Sequence, residues 1–209
     1  MPGRDIGGPV TVINRFEVKG DTEKFERLFR EHSQFLRRRS DFDFLVTLRL
    51  ADLPQVYVHM GHWRTLRAFL DTVHDETFLG HVERLEPLVE TEVDQAVSIS
   101  RVLRDEAAAG TQSVALLRAR VGGNCRAFEQ RFAELTDQLA EAGGFGGSNL
   151  LRSILRPAQY TGVLWWSDAG ALERALDSEQ FQEGHRELSR AADVVVERTQ
   201  HVAYERLID

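Results

Sequence analysis

The sequence matches itself when it is shifted by 103 residues, and the match needs no gap. The aligned aromatic pairs are Phe25 and Phe128, Phe29 and Phe132, Phe42 and Phe145, Tyr57 and Tyr160, Trp63 and Trp166, and Phe78 and Phe181. Aromatic residues are too rare for such a series to be expected by chance, so the chain contains two copies of one folding unit. We place the first repeat at residues 8–103 and the second at residues 112–207.

The first repeat contains both strand and helix patterns. Alternation of apolar and polar residues predicts strands over 10–18, 42–50, 56–63 and 95–102. Apolar residues at helical spacing predict a helix that begins after Asp21, a suitable N-cap, and ends near Leu36. A second helical region covers 65–73 and 77–88, with a break near Asp75. The order of elements is β-α-β-β-α-β.

The second repeat follows the same order with weaker signals. We predict strands over 113–121, 150–155, 160–166 and 194–204, helices over 126–142 and 171–192, and a linker over 103–112. A β-α-β-β-α-β unit is typical of the ferredoxin-like fold, an antiparallel sheet with both helices on one face. The other face of each sheet is expected to pack on the other repeat. The predicted fold class is therefore α+β, with two ferredoxin-like repeats that form a pseudo-dimeric α+β barrel within one chain.

Composition excludes several classes of function. The net charge is −7 and no basic face stands out, so we expect no nucleic-acid partner. Cys125 is the single cysteine, which leaves neither a disulfide framework nor a cysteine-based metal site. No apolar run approaches the ~20 residues of a membrane span, and residues 1–9 lack the apolar core of a signal peptide. We expect a cytoplasmic protein without a membrane partner.

Three segments resemble the antibiotic biosynthesis monooxygenase family. They are the strand I-N-R-F-E-V, the helix F-E-R-L-F, and the strand V-Y-V-H-M-G-H-W with the following helix that ends in F-L-G-H. The resemblance is close over about residues 10–102 and looser over 113–205. It implies a pocket between sheet and helices, in which many members oxidise aromatic polyketide phenols to quinones with dioxygen and no cofactor. Related proteins degrade heme, and similar folds act as polyketide cyclases.

The resemblance and the strand pattern together suggest catalytic residues. Alternation puts Tyr57, His59 and Trp63 on one face of the third strand. Trp63 matches the strand tryptophan of the family, His59 stands where the family typically has Asn, and Phe69 stands where it typically has Tyr. We expect His59 to remove a proton from the substrate, because imidazole titrates near neutral pH. Asn14 is expected to donate its amide to the substrate oxyanion.

Comparison of the two repeats supports these assignments. Asn14 aligns with Leu117 and His59 with Gly162, so the fold itself requires neither polar side chain. An amide at a position that accepts leucine is costly to bury unless it is used. We therefore expect chemistry in the first repeat. The residues predicted to bind the substrate are Trp63, Tyr57, Phe69, Phe16, His81, Trp166 and His185.

No cofactor or metal is expected. His59 and His62 differ in strand parity, and no carboxylate completes a facial triad at a recognisable spacing. Neither repeat has the full residue set of the heme-degrading relatives. Three interpretations stay open: a cofactor-independent monooxygenase acting on an aromatic polyketide, a polyketide cyclase with the same pocket, and a non-catalytic binding or accessory protein. A homodimer of pseudo-dimers stays open as well.

Overall fold

The computed structural model describes residues 6–104, 113–141 and 143–206. The elements of the first repeat are β1 (Val10–Val18), α1 (Thr22–Leu36), β2 (Phe42–Leu50), β3 (Val56–Trp63), α2 (Leu66–Val73), α3 (Glu76–Leu85), a short 3-10 turn (Glu86–Leu88) and β4 (Val89–Leu103). Those of the second repeat are β5 (Ser113–Val121), α4 (Cys125–Glu141), β6 (Phe145–Ser153), β7 (Gln159–Trp166), α5 (Ala169–Asp177), α6 (Glu179–Ser189) and β8 (Ala192–Arg206).

The strands described here are hydrogen-bonded in the order β1-β3-β2 in the first repeat and β5-β7-β6 in the second, with β8 beside β5 and β4 beside β6. In the first repeat β3 pairs antiparallel with both β1 and β2. In the second repeat β7 pairs antiparallel with both β5 and β6. The predicted fold class is confirmed: an α+β protein with two ferredoxin-like repeats.

The chain divides into two compact units. One contains the described residues up to Gln95 together with those from Val202 onward, and the other contains Ala96–His201. The strands β4 and β8 therefore each contribute to both units. These boundaries differ from the sequence limits 8–103 and 112–207, which stay a prediction.

Equivalent side chains cap the helices of both repeats, so the helices begin at equivalent positions. The Asp21 side chain accepts a hydrogen bond from the backbone N–H of Lys24, as predicted, and Asn124 caps α4 in the same way. Asp75 caps α3, which confirms the predicted break between α2 and α3. Ser178 is the equivalent cap of α6.

Several predicted boundaries in the second repeat were wrong. The single helix expected over 171–192 is two helices, because Ser178 ends α5 and caps α6. The strand expected over 150–155 begins earlier, at Phe145. Glycines conceal its first part: Gly147 has a φ of 150°, a conformation that favours glycine, and lies where the register with β7 shifts.

The last strand of each repeat is also longer than predicted. β4 begins at Val89 instead of residue 95, and β8 begins at Ala192 instead of residue 194. Charged residues in the sequence V-E-T-E-V-D-Q weaken the apolar signal at the start of β4. Most of the predicted linker, residues 105–112, lies outside the described residues.

An aromatic contact and a hydrogen bond hold the first helix on the sheet in both repeats. The ring centroids of Phe25 on α1 and Tyr57 on β3 are 4.9 Å apart, and the Tyr57 hydroxyl donates to the Glu26 carboxylate at 2.6 Å. The second repeat has an equivalent ring contact at 5.0 Å and a hydrogen bond of 2.7 Å, formed by Phe128, Tyr160 and Glu129. Because the arrangement recurs, its primary role is structural.

We predict that Tyr57→Phe and Tyr160→Phe each destabilise the protein to a similar extent. Each substitution leaves a carboxylate without its tyrosine partner, and hydrogen bonds to charged groups contribute about 1.5–3 kcal/mol. Urea denaturation of the two variants would measure the change in the free energy of unfolding. A clear loss in one variant and none in the other would contradict a shared structural role.

Candidate functional site

A row of polar side chains crosses the sheet of the first repeat. His59, on the central strand β3, lies opposite Asn14 on β1 and opposite Thr47 on β2. Directly opposed residues in antiparallel strands point to the same face of the sheet, so the three side chains are neighbours. The second repeat has the same pairing with apolar residues, Leu117, Gly162 and Leu150.

His59 is enclosed by the protein. Only 2% of its surface is exposed, and its Nδ1 lies 3.1 Å from the Thr47 hydroxyl oxygen. The Phe29 ring on α1 stands edge-on to the imidazole, with ring centroids 4.9 Å apart. Burial, with a smaller effect of His62, lowers the pKa of His59 to about 3. The imidazole is therefore neutral at physiological pH.

A second buried histidine faces the same region from α1. His32 is 6% exposed, and its ring contacts Phe78 and His81 on α3, with centroids 5.1 and 5.6 Å away. Within the described parts of the chain, His32 Nδ1 has no hydrogen-bond partner. Burial lowers the pKa of His32 to about 3, with smaller contributions from His59, His81 and Arg84. Sequence reasoning did not assign His32 to the site.

His81 connects this cluster to the surface of α3. An Arg84 N–H donates to His81 Nδ1 at 2.6 Å, and Arg84 also pairs with Glu31 on α1 at 2.8 Å. Guanidinium groups only donate, so Nδ1 is the acceptor and the neutral His81 ring carries its proton on Nε2. Burial and Arg84 lower the pKa of His81.

The second repeat replaces every polar member of this set with an apolar residue. At the shared spacing, Asn14, His32, Thr47, His59 and His81 correspond to Leu117, Leu135, Leu150, Gly162 and Gly184. Sequence reasoning found two of these contrasts, at Asn14 and His59. The same comparison could have found His32 and Thr47, because both align with leucine.

Close packing fills the corresponding space of the second repeat. A methyl group placed on Gly162 would lie 2.7 Å from Cε2 of Phe132, so the phenyl ring occupies the space in which His59 lies in the first repeat. A methyl group placed on Gly184 would lie 2.5 Å from Leu135, so α6 and α4 pack directly against each other. The second repeat thus has no room for the histidines of the first.

The two strand tryptophans share one packing role. Trp63 and Phe42 have ring centroids 5.1 Å apart, and the equivalent Trp166 and Phe145 are 5.5 Å apart, both edge-on. Phe69 on α2 lies near Trp63, with centroids 5.8 Å apart. The contact shared by both repeats is therefore part of the core.

The remaining predicted binding residues lie in other surroundings. Phe16 packs in an apolar cluster with Phe25 and Phe29, at centroid distances of 5.6 and 5.2 Å. The Tyr57 hydroxyl is held by Glu26, and burial together with this bond raises its pKa. His185 lies on α6 in the second repeat, with its ring parallel to Phe181. In the first repeat Asn14 therefore lies opposite His59, Trp63 contacts Phe69, and His81 contacts His32. His185 and Trp166 lie in the second repeat.

A small cavity of about 50 Å³ opens beside Thr47. It is lined by Phe25, Glu26, Phe29, Arg30, Ser33, Thr47, Tyr57, Val202 and Ala203. A larger open cleft of about 530 Å³ lies near Arg38, Arg39 and Arg67, and none of the predicted site residues lines it. The small cavity can hold a few water molecules next to the polar row.

Searches for a metal site and a membrane span gave no candidate. In residues 6–104, 113–141 and 143–206, no group of three His, Cys, Asp or Glu side chains is arranged to hold a metal ion. None of the helices described here combines the length and the apolar character needed to cross a membrane.

Comparison with known proteins identifies the family. The family model "Antibiotic biosynthesis monooxygenase" matches residues 113–187. Deoxynogalonate monooxygenase from Streptomyces nogalater is 32% identical over 83 residues, which are 40% of this chain and 70% of the relative. The chain belongs to the antibiotic biosynthesis monooxygenase family. The match of the family model falls on the second repeat, whereas we expected the closer resemblance in the first.

Solved structures share the whole fold at low sequence identity. A candidate monooxygenase from Fusobacterium nucleatum is 10% identical, with a TM-score of 0.78 over 96% of this chain and 95% of the other. An anthrone oxidase-like protein is 14% identical, with a TM-score of 0.73 over 96% and 94% of the two chains. At these identities the likeness concerns the fold alone.

The buried histidines predict that the protein is sensitive to mild acid. His32 and His59 have a pKa of about 3 in the folded protein and an ordinary value near 6.5 when unfolded. Between pH 3 and pH 6.5 the unfolded chain binds more protons than the folded protein does. The contribution of these histidines to the free energy of unfolding is therefore complete above pH 6.5 and decreases as the pH falls. Each histidine contributes a slope of about 1.4 kcal/mol per pH unit.

Urea denaturation of the wild type and of His32→Leu between pH 7 and pH 5 tests this prediction. Leucine is the residue at the equivalent position 135, and most carboxylates stay ionised in this range. The variant should lose about half of the pH dependence of the wild type. An unchanged slope would contradict the assignment of His32 as a buried, neutral histidine.

Proposed function

We propose that this protein is a cofactor-independent monooxygenase that oxidises an aromatic polyketide, of the phenol or anthrone type, to a quinone with dioxygen. Such a reaction belongs to antibiotic or pigment biosynthesis. The observation that carries the proposal is the contrast between the repeats: the first contains the buried His32, Thr47 and His59 with the half-buried Asn14 and His81, and the second has leucine or glycine at all five positions. The fold does not need these polar groups, so the first repeat retains them for chemistry.

Family membership and the named relative support the reaction class. The relative's name specifies a monooxygenase acting on deoxynogalonate. Our proposal extends the reaction class, but not that substrate, to this chain. The structure adds aromatic neighbours, because Phe29 contacts His59, and Trp63, which contacts Phe69, follows His59 on the same face of β3.

The proposed reaction begins with loss of a proton from the substrate. A deprotonated anthrone or hydroquinone is electron-rich and passes one electron to dioxygen, and the two radicals then combine. For an anthrone, the CH₂ group and O₂ become a C=O group and water, so that the atoms balance without a further reductant. The protein has to bind the ring, accept the proton and stabilise the oxyanion.

In this proposal Asn14 and His59 share these tasks. They are opposed on adjacent strands and face the same side of the sheet. The Asn14 amide can donate to the oxyanion while His59 accepts the proton. Thr47 holds the other nitrogen of the imidazole and so fixes the ring orientation.

The low pKa of His59 changes the expected role of this residue. We predicted a base that titrates near neutral pH, but burial keeps the pKa of the free site at about 3. The imidazole is always ready to accept a proton, yet it is a weak base in the empty site. An oxyanion formed beside the ring favours the imidazolium form, because opposite charges attract strongly in a poorly hydrated pocket. Proton transfer therefore depends on a bound substrate.

The two other interpretations lead to different results. A polyketide cyclase would use the same groups to polarise a carbonyl without consuming oxygen. A non-catalytic binding protein is favoured by the packing of Phe16 on Phe29, with centroids 5.2 Å apart, because these rings fill part of the space beside the sheet. Oxygen uptake distinguishes the monooxygenase from both alternatives.

We predict oxygen uptake when the protein is mixed with a phenolic anthrone, for example 1,8-dihydroxy-9-anthrone. The variants Asn14→Leu and His59→Gly give the first repeat the residues of the second, so both should fold. Each should lose about 100-fold or more in turnover, which is the usual contribution of a positioned acid, base or oxyanion donor. An oxygen electrode measures the rate, and denaturation curves check the fold.

The variant His185→Leu tests the second repeat in the same assay. Full activity in Asn14→Leu and His59→Gly, together with loss of activity in His185→Leu, would place the working site in the second repeat. Turnover of the anthrone without oxygen uptake would favour the cyclase.

A further inference from the structure

The small cavity beside Thr47 lies between the buried His59 and the surface of the first unit. Thr47 lines this cavity, and its hydroxyl oxygen lies 3.1 Å from His59 Nδ1. Arg30 and Val202 also line the cavity, and both are exposed, so the cavity opens to solvent. Val202 belongs to the same compact unit as the first repeat up to Gln95. Thr47 therefore contacts both the imidazole and a space that leads to solvent.

The cavity is suited to hold water. Its volume of about 50 Å³ admits a few water molecules. The Ser33 hydroxyl donates to the backbone oxygen of Phe29 at 2.9 Å, and its oxygen can still accept from a water molecule. The Glu26 carboxylate accepts from the Tyr57 hydroxyl at 2.6 Å and has further lone pairs that can accept. Water in the cavity thus has the polar partners that ordered water requires.

A threonine hydroxyl can join a buried ring to such water, because it accepts one hydrogen bond and donates another. When His59 Nδ1–H donates to Thr47 Oγ1, the hydroxyl hydrogen of Thr47 is free to bond a water molecule in the cavity. Burial lowers the pKa of His59, so a ring that stays charged is disfavoured. A proton that enters the ring at Nε2 is accommodated more easily if another leaves from Nδ1.

The second repeat keeps the structural residues around this position and lacks the polar link. Four of the residues that line the cavity have an identical counterpart 103 residues later: Phe25, Glu26, Phe29 and Tyr57. Thr47, in contrast, corresponds to the buried Leu150, and His59 corresponds to Gly162. The fold therefore accepts leucine at the position of Thr47, so packing does not require the hydroxyl.

We propose that Thr47 and water in this cavity relay protons between His59 Nδ1 and solvent. Thr47 touches no substrate atom, and it is a positioning residue that acts through His59. The relay rests on the proposed function, to which it adds the route that the proton takes away from the base. It also makes a statement about the free protein: the Nδ1 proton of the buried His59 exchanges with water through Thr47.

The relay balances over one turnover. As the substrate proton reaches His59 Nε2, the Nδ1 proton moves to Thr47 Oγ1, and the hydroxyl proton of Thr47 moves to a water molecule and on to solvent. The ring is then neutral, with its hydrogen on Nε2. Later Nε2–H gives its proton to the oxygen atom that leaves as water, and Nδ1 takes up a proton from solvent by the same route. The starting tautomer is restored, and no proton is gained or lost overall.

The first test measures hydrogen exchange with water and needs no substrate. In protein labelled with ¹⁵N-histidine, NMR gives the rate at which His59 Nδ1–H exchanges, with signals assigned by single substitutions of the seven histidines. Thr47→Val keeps the shape of threonine without the hydroxyl. It should slow this exchange about tenfold or more, because exchange then requires a local opening of the protein. Thr47→Ser restores the hydroxyl and should exchange as the wild type does.

A second variant separates the relay from simple positioning of the ring. Ala203 lines the cavity, so Ala203→Leu fills it and leaves the hydrogen bond between Thr47 and His59 in place. Exchange at His59 should again slow about tenfold or more, whereas positioning alone predicts no change. Ser100→Leu is the matched control, because position 100 is equivalent to 203 and belongs to the other unit. It should leave the exchange unchanged, and the ring of His32 should exchange at one rate in all variants.

The second test is oxygen uptake with 1,8-dihydroxy-9-anthrone. Thr47→Val and Ala203→Leu should lose about tenfold or more in turnover, since the base then has no route for its proton, and Thr47→Ser should stay close to the wild type. Normal turnover in both variants despite slower exchange would overturn the part of the relay in the reaction.

The two tests separate the relay from the function. An unchanged exchange rate in Thr47→Val or in Ala203→Leu, or equal slowing in Ser100→Leu, would overturn the relay even if the wild type consumes oxygen. Slower exchange in Thr47→Val and Ala203→Leu with no oxygen uptake by the wild type would support the exchange route, and the monooxygenase proposal would fail.

Discussion

The contact between the first helix and the central strand of each repeat is the interaction on which the rest of the structure depends. Phe25 and Tyr57 form it in the first repeat, and the Tyr57 hydroxyl adds a hydrogen bond to Glu26. The same arrangement recurs 103 residues later. Because aromatic pairs and charge-assisted hydrogen bonds together contribute a few kcal/mol, this contact fixes the distance between helix and sheet. Other residues between the helix and the sheet can then differ between the two repeats.

The two repeats differ in the residues that lie between the helix and the sheet. In the second repeat, Phe132 on α4 packs against Gly162, and Leu135 on α4 packs against Gly184. In the first, the same space contains His32, His59 and His81. Buried polar groups stabilise less than apolar packing, and His32 Nδ1 has no partner in the described part of the protein. These polar residues therefore stabilise the first repeat less than apolar residues at the same positions would, which is typical of a functional site. The second provides a well-packed copy of the same fold.

The sequence predicted most of the fold because two signals agreed. Period-two alternation and the spacing of 103 both located β1, β2, β3 and β5. The wrong boundaries arose where local composition was followed instead of the repeat: shifting β2 by 103 gives Phe145–Ser153, the observed β6, although its glycines conceal it. In the same way, Asp75 predicts the break at Ser178.

Less of the candidate site could be predicted. His59 and Asn14 were predicted because their counterparts in the second repeat are Gly162 and Leu117, and the structure shows them opposed on paired strands. The approach of His32 to His81 depends on how α1 and α3 pack, which no local pattern specifies. The low pKa of His59 depends on complete burial, which could not be read from residue type.

The central claim is that only the first repeat binds an aromatic substrate, and the three tryptophans allow a direct measurement. Protein labelled with 5-fluorotryptophan should give three ¹⁹F NMR signals, assigned to Trp63, Trp165 and Trp166 by single Trp→Phe variants. During titration with 1,8-dihydroxy-9-anthrone under nitrogen, the Trp63 signal should shift and saturate while the Trp166 signal stays in place. A saturable shift of Trp166 with no change at Trp63 would contradict the account.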